Sequence, residues 1–354
     1  MTKRSSRQTM ERTAYGALVG GFYALFNFSF KPLVVVISAI MGASIGFFTS
    51  LLDRWLYKTG LRRKQFLIVL LVRTFAYLLV ISFTLLFFYG AYLLLDEELN
   101  IRFFPGLAEL TAWLGSWDFL YAIFYILLIL LVLQFITLVS RLLGPNVLLD
   151  YMLGRFHIPK EEERIFMFMD LRASTTIAEH LGHLKWHYFL NDFFYDIAEA
   201  VRKTRGEIYQ YVGDEVVISW PKEVGIKNLN CIHAFFGIWN IMYERKDYYL
   251  KTYGYEPVFK AGYHVGMVVV GEIGDFKRDI VFHGDTVNTA SRIQMECNHY
   301  NRRLLLSDTL LSQLNLQEEY SSEYITKIKL RGKEQILGLY SLDPLGPLAG
   351  HNIP

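Results

Sequence analysis

Apolar residues fall into two regimes along the chain. From Ala14 to Ser140 they form long runs, and from Arg141 onward they come in short runs broken by charge. Crossing a bilayer takes roughly 20 apolar residues. Leu33–Leu52 and Thr74–Leu95 carry no charge, and Phe119–Ser140, "FLYAIFYILLILLVLQFITLVS", is the strongest run. Ala14–Phe30 is shorter and Gly-rich, and "FNFSFKP" reads as a tight turn joining it to Leu33. Beyond Arg141 the periods shorten. "RIFMFMD" reads as a buried strand ending on Asp170. Ser174–Leu181 and Trp186–Arg202 read as helices, with Ser174 or Thr175 as the cap. "GEIYQYVGDEVVISW" reads as strand, Gly213-Asp214 turn and strand. Ile226 to Tyr248 reads as helical, "FKAGYHVGMVVVGEIG" as a glycine-punctuated strand pair, and "TVNTASRIQMECNHY" as a helix. "RRLLLSD" then gives a strand, and "ITKIKLRGKEQILGLYSL" two strands around Arg331-Gly332. Loose alternation with two hairpins predicts an α+β sandwich rather than a doubly wound sheet.

Charge sets the number of crossings. The N-terminus "MTKRSSRQTMER" and the loop "DRWLYKTGLRRKQ" are basic, whereas "DEELNIRFFPGLAELTAWLGSWD" is mostly acidic. The positive-inside rule places the first two in the cytoplasm and the third outside. Two crossings must then precede Asp53, so the weak run spans and four helices return the chain to the cytoplasm at Arg141. Ser38, Gly42, Gly46 and Ser50 recur at four-residue spacing, as do Gly16 and Gly20; such spacing lets helices approach closely in lipid. Arg73 lies near the cytoplasmic end of its run and is expected to snorkel. Few ionisable residues lie deep in the runs, which argues against transport. The linker "RLLGPNVLLDYMLGRFHIPKEEER" should break at Gly144-Pro145 and resume as a helix from Asn146 to Phe156.

Composition adds limits. Of 354 residues, 53% are hydrophobic, too many for an ordinary soluble chain, and the net charge of +2 gives no reason to expect a nucleic-acid partner. Cys231 and Cys297 form neither a disulfide framework nor a metal spacing, which points to a reducing compartment. The first apolar run lacks a small-residue cleavage site and more runs follow, so no cleavable signal peptide is expected.

Asp170 and Asp214 stand at equivalent places, one ending a strand and one at a hairpin tip. Each alone reads as a cap or turn residue. If their strands are neighbours, the pair suits a hard divalent cation that keeps waters and binds phosphates. "LRASTT" follows Asp170 into a helix, whose first N–H groups suit a polyphosphate. Asn288 and Arg292, four apart on one helix face, suit a sugar hydroxyl and a phosphate. His180, His183 and His187 read as a solvated helix face, and Tyr248, Tyr249, Tyr253 and Tyr255 as a loop packing on its domain.

"FMDLRASTTIAEHLG", "YVGDEVVISW", "GYHVGMVVVGEIG" and "VFHGDTVNTASR" occur in an order and spacing that resemble class III nucleotidyl cyclases of the membrane-bound bacterial type. The resemblance covers roughly Arg164 to Leu342. It implies an α+β domain with a ferredoxin-like βαββαβ core; with the apolar runs and charge it gives boundaries at 1–13 (basic tail), 14–140 (membrane domain), 141–163 (linker), 164–342 (catalytic domain) and 343–354 (tail). It implies two Mg²⁺ or Mn²⁺ ions per site, on Asp170, Asp214 and the Leu171 carbonyl. Asn288 and Arg292 become the transition-state pair, supplied across a homodimer. Arg172, Ser174, Thr175, Arg331 and Lys333 become contacts to the triphosphate. The base-reading positions fall on Gln210, where adenylate-forming members usually have Lys, and Val281, where they usually have Asp, Thr or Ser. The implied activity is ATP to 3′,5′-cyclic AMP and pyrophosphate, at the cell (inner) membrane with the N-terminus and catalytic domain cytoplasmic. GTP or a pyrimidine triphosphate as substrate, or a catalytically silent cyclase-like sensor, are the alternatives. "VGDEV" is also similar to the "GGDEF" element of diguanylate cyclases, but "GDTVNTASR" has no place in that family.

Overall fold

The computed structural model describes residues 3–27, 32–58, 64–99, 107–143, 150, 153–276, 278–316, 319–329 and 336–345. The chain divides into two compact units, Met1–Leu143 and Gly144–Pro354.

The first unit is helical, with α1 (Lys3–Asn27), α2 (Pro32–Lys58), α3 (Phe66–Leu99), α4 (Leu107–Leu114) and α5 (Trp117–Leu143). Among the described residues three segments are long and apolar enough to cross a membrane: Val34–Leu56, Phe66–Ala91 and Trp117–Ser140. Large side chains such as Phe83, Leu86, Phe87 and Tyr125 face outward from them. An apolar exterior on that scale belongs in lipid. The turn expected between the first two runs, at residues 28–31, lies outside the described residues. α1 lies against α2 backbone to backbone. A Cβ built on Gly16 would sit 2.1 Å from the Gly42 carbonyl oxygen, and one on Gly20 2.1 Å from that of Ser38. The small-residue spacing permits this approach, and the Thr9 and Ser50 hydroxyls hydrogen-bond at 2.9 Å. Arg73 does not snorkel. It is 5% exposed and donates to Asp53 at 2.6 Å, while Arg12 donates to the other Asp53 oxygen at 2.6 Å. A desolvated guanidinium is costly unless paired, and Asp53 on α2 provides the nearer partner.

The second unit runs β1 (Lys160–Leu171), α6 (Ser174–Lys203), β2 (Glu207–Val212), β3 (Glu215–Pro221), α7 (Lys222–Ile226), α8 (Asn230–Glu244), α9 (Lys246–Tyr253), β4 (Phe259–Ile273), β5 (Asp279–His283), α10 (Asp285–His299), β6 (Leu304–Ser307), α11 (Asp308–Leu311), β7 (Tyr320–Lys329) and β8 (Ile336–Pro344). The sheet order is β2-β3-β1-β4-β6-β8-β7, with β5 added to β4. β1 is antiparallel to both β3 and β4, and β4 is parallel to β6. β1 is central and covered on both faces, so its run is apolar without alternation. Ile165, Met167 and Met169 pack with Phe189 and Phe193 of α6 and Phe235 of α8. Phe166 and Phe168 pack on the other face with Ala290 of α10.

Several local expectations change. "FKAGYHVGMVVVGEIG" forms one 15-residue strand, and its hairpin partner is the separate β5. The two helices expected after Asp170 are two segments of α6, broken at Gly182 (φ 69°, ψ 162°). Neither Ser174 nor Thr175 caps α6: the cap is Ala173 in the left-handed region (φ 54°), with no side-chain bond to the first turn. Residues 153–157 are turns rather than helix, and 144–149 and 151–152 lie outside the described residues. β1 starts four residues before Arg164, because Lys160–Glu163 pair with β4 from Val270 to Met267. The tyrosine cluster packs on its domain as expected, but from helix α9 rather than a loop: Tyr248 and Tyr253 donate to Asp192 at 2.6 and 2.7 Å, and Tyr249 to Asp196 at 2.7 Å. Among the described residues no group of three or more metal-capable side chains gathers, the three histidines included, and His180 bonds the Tyr255 hydroxyl.

α10 rests directly on β4, because a Cβ on Gly262 would lie 2.1 Å from the Gln294 amide nitrogen. Gly262→Ala is therefore expected to push α10 off the sheet and destabilise the domain by at least about 1–3 kcal/mol, the usual cost of overpacking. Denaturation of the purified full chain, followed by circular dichroism, measures it.

Candidate active site

β1 and the β2–β3 hairpin bring two carboxyl groups together. Asp170 is the penultimate residue of β1, and Met169 of that strand pairs with Val216 of β3. Strand pairing therefore carries the hairpin turn, Gly213 (φ 63°) and Asp214, to the end of β1. The Asp170 and Asp214 carboxyl groups lie within hydrogen-bonding range. Burial, then the hydrogen bond and charge of Asp214, raise the Asp170 carboxyl to about 6, against the pull of Lys260. Glu215 is pushed up to about 7, first by burial and then by the charges of Asp170 and Asp214.

Two further side chains hold Asp170. Lys260 stands opposite it in the β1–β4 register, is nearly buried, and places Nζ 3.2 Å from Oδ2. Gln294 of α10 donates from Nε2 to the same oxygen at 3.2 Å. Sequence reasoning missed both. A lysine inside the apolar run "FKAGYHV", and a glutamine in the buried stripe Thr286, Ala290, Ile293 and Cys297, were the available signals.

The other predicted residues separate into groups. Leu171 is buried among core side chains, which leaves its main chain as the part able to serve a ligand. Arg172 donates from its backbone N–H to the Val258 carbonyl at 2.7 Å and from its guanidinium to Asn301 at 3.0 Å. Ser174 and Thr175 begin α6 in its first turn, half-buried and exposed respectively. Gln210 is exposed on β2 opposite Val217, and Val281 is half-buried on β5 opposite Gly271. Arg331 and Lys333 lie outside the described residues. Asn288 is exposed and Arg292 half-buried on α10. The bond from α10 to Asp170 comes from Gln294, which lies about 160° round the helix from Arg292. The Asn288/Arg292 face and the carboxylates of one chain therefore point apart.

Facing carboxylates with one lysine beside them fit divalent cations. Two like charges in a half-buried site need compensation, and one ammonium supplies half of it. Two carboxylates with open positions suit an ion that keeps waters and takes up phosphate oxygens.

The family model for the adenylate and guanylate cyclase catalytic domain matches residues 157–343, more than half of the chain, and the chain belongs to that family. It is 36% identical over 216 residues to adenylate cyclase 2 of Rhizobium meliloti (strain 1021), covering 61% of this chain and 59% of that one. It is 27% identical over 183 residues to an adenylate cyclase of Anabaena cylindrica, covering 50% of this chain and 36% of the relative. The chain thus spans less than two thirds of the length of these relatives. A solved bacterial light-regulated adenylyl cyclase shares the fold, with a TM-score of 0.52 and 21% identity over 60% of this chain and 62% of that chain.

The carboxylate pair sets an expectation for ligand-dependent stability. Millimolar Mn²⁺ or Mg²⁺ should raise the melting temperature of the purified chain, since an ion that binds the folded state stabilises it by mass action. Asp214→Asn should remove that rise while the protein still folds.

Proposed function

We propose that the chain is a membrane-bound nucleotidyl cyclase that converts ATP to 3′,5′-cyclic AMP and pyrophosphate at two sites shared across a homodimer. The observation that carries the shared site is the divergence on α10: Gln294 turns to Asp170, while Asn288 and Arg292 share the other side of the helix. This divergence supports a substrate held between the carboxylates of one copy and the Asn288/Arg292 pair of a second copy related by two-fold symmetry. ATP is supported by the names of the two relatives above.

Asp170, Asp214 and the Leu171 carbonyl would hold two divalent ions, which would acidify the ribose 3′-hydroxyl and offset charge on the leaving pyrophosphate. The 3′-oxygen attacks the α-phosphorus, the bond to the β-phosphate oxygen breaks, and the hydroxyl proton is released. Asn288 of one copy orients the ribose, and Arg292 offsets charge growing on the α-phosphate. The uncapped first turn of α6, at Ser174 and Thr175, offers N–H groups to the triphosphate. Lys260, with Nζ 3.2 Å from Asp170, is placed to meet a phosphate of the substrate.

A cyclase selective for GTP or a pyrimidine triphosphate is the second reading, favoured by Val281, which offers no polar atom to a base edge. The catalytic core is taken as ferredoxin-like; the antiparallel order β2-β3-β1-β4, with α6 and α8 between strands, supports this. The basic N-terminus and first basic loop support four crossings of the cell (inner) membrane, α1 included, with the N-terminus and the catalytic half (164–342) cytoplasmic.

Purified protein incubated with each ribonucleoside triphosphate and Mg²⁺ or Mn²⁺ should yield cyclic AMP from ATP, identified by mass. Asp170→Ala and Asn288→Ala should each abolish it. Mixing the two variants should restore about one quarter of the parent activity, because random pairing makes half the dimers mixed, each with one intact site. No recovery in demonstrated mixed dimers would refute the shared site.

A further inference from the structure

Gln210 and Val281 sit on strands that are not neighbours, since β3, β1 and β4 stand between β2 and β5. Tyr209 reaches directly from β2 to β5. The β2–β3 register slips between Ile208 and Gln210, which makes Tyr209 the extra residue of a bulge. In a regular strand Tyr209 and Gln210 would face opposite sides. Ile208 packs on the α6 side, so Tyr209 falls on the α10 side, where it packs with Phe166, Phe168 and Val217; the bulge brings Gln210, opposite Val217, to that same side. From there Tyr209 reaches β5. Its ring meets Phe282 edge to face at 5.0 Å and 73°, and its hydroxyl accepts a hydrogen bond from the Phe282 backbone N–H at 3.4 Å. The Phe282 ring is itself held, by Phe166 at 5.5 Å and by the Arg164 guanidinium at 4.7 Å. Tyr209, the residue before Gln210, is therefore joined to Phe282, the residue after Val281.

We propose that Tyr209 is a positioning residue for nucleobase selection, setting the separation of Gln210 and Val281 and so the base that fits between them. This rests on the cyclase reading above, with Gln210 and Val281 flanking the base. Tyr209 need not touch the nucleotide. It acts through the Phe282 backbone, so losing its hydroxyl should disturb the choice of base more than the chemistry.

The test compares full-length parent, Tyr209→Phe, Tyr209→Leu and Gln210→Ala for kcat and KM with ATP, GTP and inosine triphosphate, alongside melting temperature. Tyr209→Phe is expected to change the ratio of kcat/KM between nucleotides about three- to tenfold, the worth of one hydrogen bond. The change should lie mainly in KM, with the melting temperature retained. Tyr209→Leu should change the ratio further. A purely structural tyrosine would lower melting temperature and kcat for all nucleotides alike and leave the ratios unmoved. That result, in a parent whose ratios do respond to Gln210→Ala, overturns this inference alone. Ratios indifferent to Gln210→Ala overturn the base-slot assignment and the inference with it, and a parent with no turnover overturns the cyclase reading itself.

Discussion

Two carboxyl groups of like charge, Asp170 and Asp214, are held within hydrogen-bonding range at the end of a buried strand, and much of the second unit is organised around keeping them there. Left to themselves they would separate into solvent. β1 prevents this because it is clamped between β3 and β4 and covered on both faces. The hairpin is registered to β1 residue by residue, and Lys260 and Gln294 grip Asp170 from the neighbouring strand and from α10. Burial first, and then the neighbouring Asp214, raise the Asp170 carboxyl. A site built this way holds charge repulsion that a cation, if bound, would relieve.

The placement of α10 serves both of its faces. Its backbone lies on β4 at Gly262, which brings Gln294 to Asp170. The same docking leaves Asn288 exposed on the other side. Helical periodicity therefore turns Gln294 and the Asn288/Arg292 pair to different sides of α10. The first unit solves a comparable problem with different material: glycines let α1 and α2 touch, and Asp53 on α2 holds the two arginines together.

Much of this was legible in the chain because it is local. Long apolar runs, the Gly213-Asp214 hairpin, the double-sided burial of "RIFMFM" and the Asn288/Arg292 spacing depend on period and turn chemistry, which neighbouring residues carry. The errors fell where tertiary context overrode local preference. Neither Ser174 nor Thr175 caps α6, because the chain turns through Ala173 instead. "FKAGYHVGMVVVGEIG" stays one strand because β1 and β5 pair with it along its length and its glycines admit α10 and the linker at Pro159. Arg73 finds Asp53, twenty residues away, rather than the lipid surface.

The sequence by itself determined the two regimes of the chain, the strand and helix order of the second unit, and which residue types were available for metal, sugar and phosphate. Only the tertiary structure decided which of them meet. Lys260 reaches Asp170 through strand register, Gln294 through a glycine-sized gap between helix and sheet, and a one-residue bulge brings Gln210 to the face from which Tyr209 reaches Phe282. Each of these depends on pairing between segments distant in the chain, where a shift of one residue reverses the face a side chain occupies.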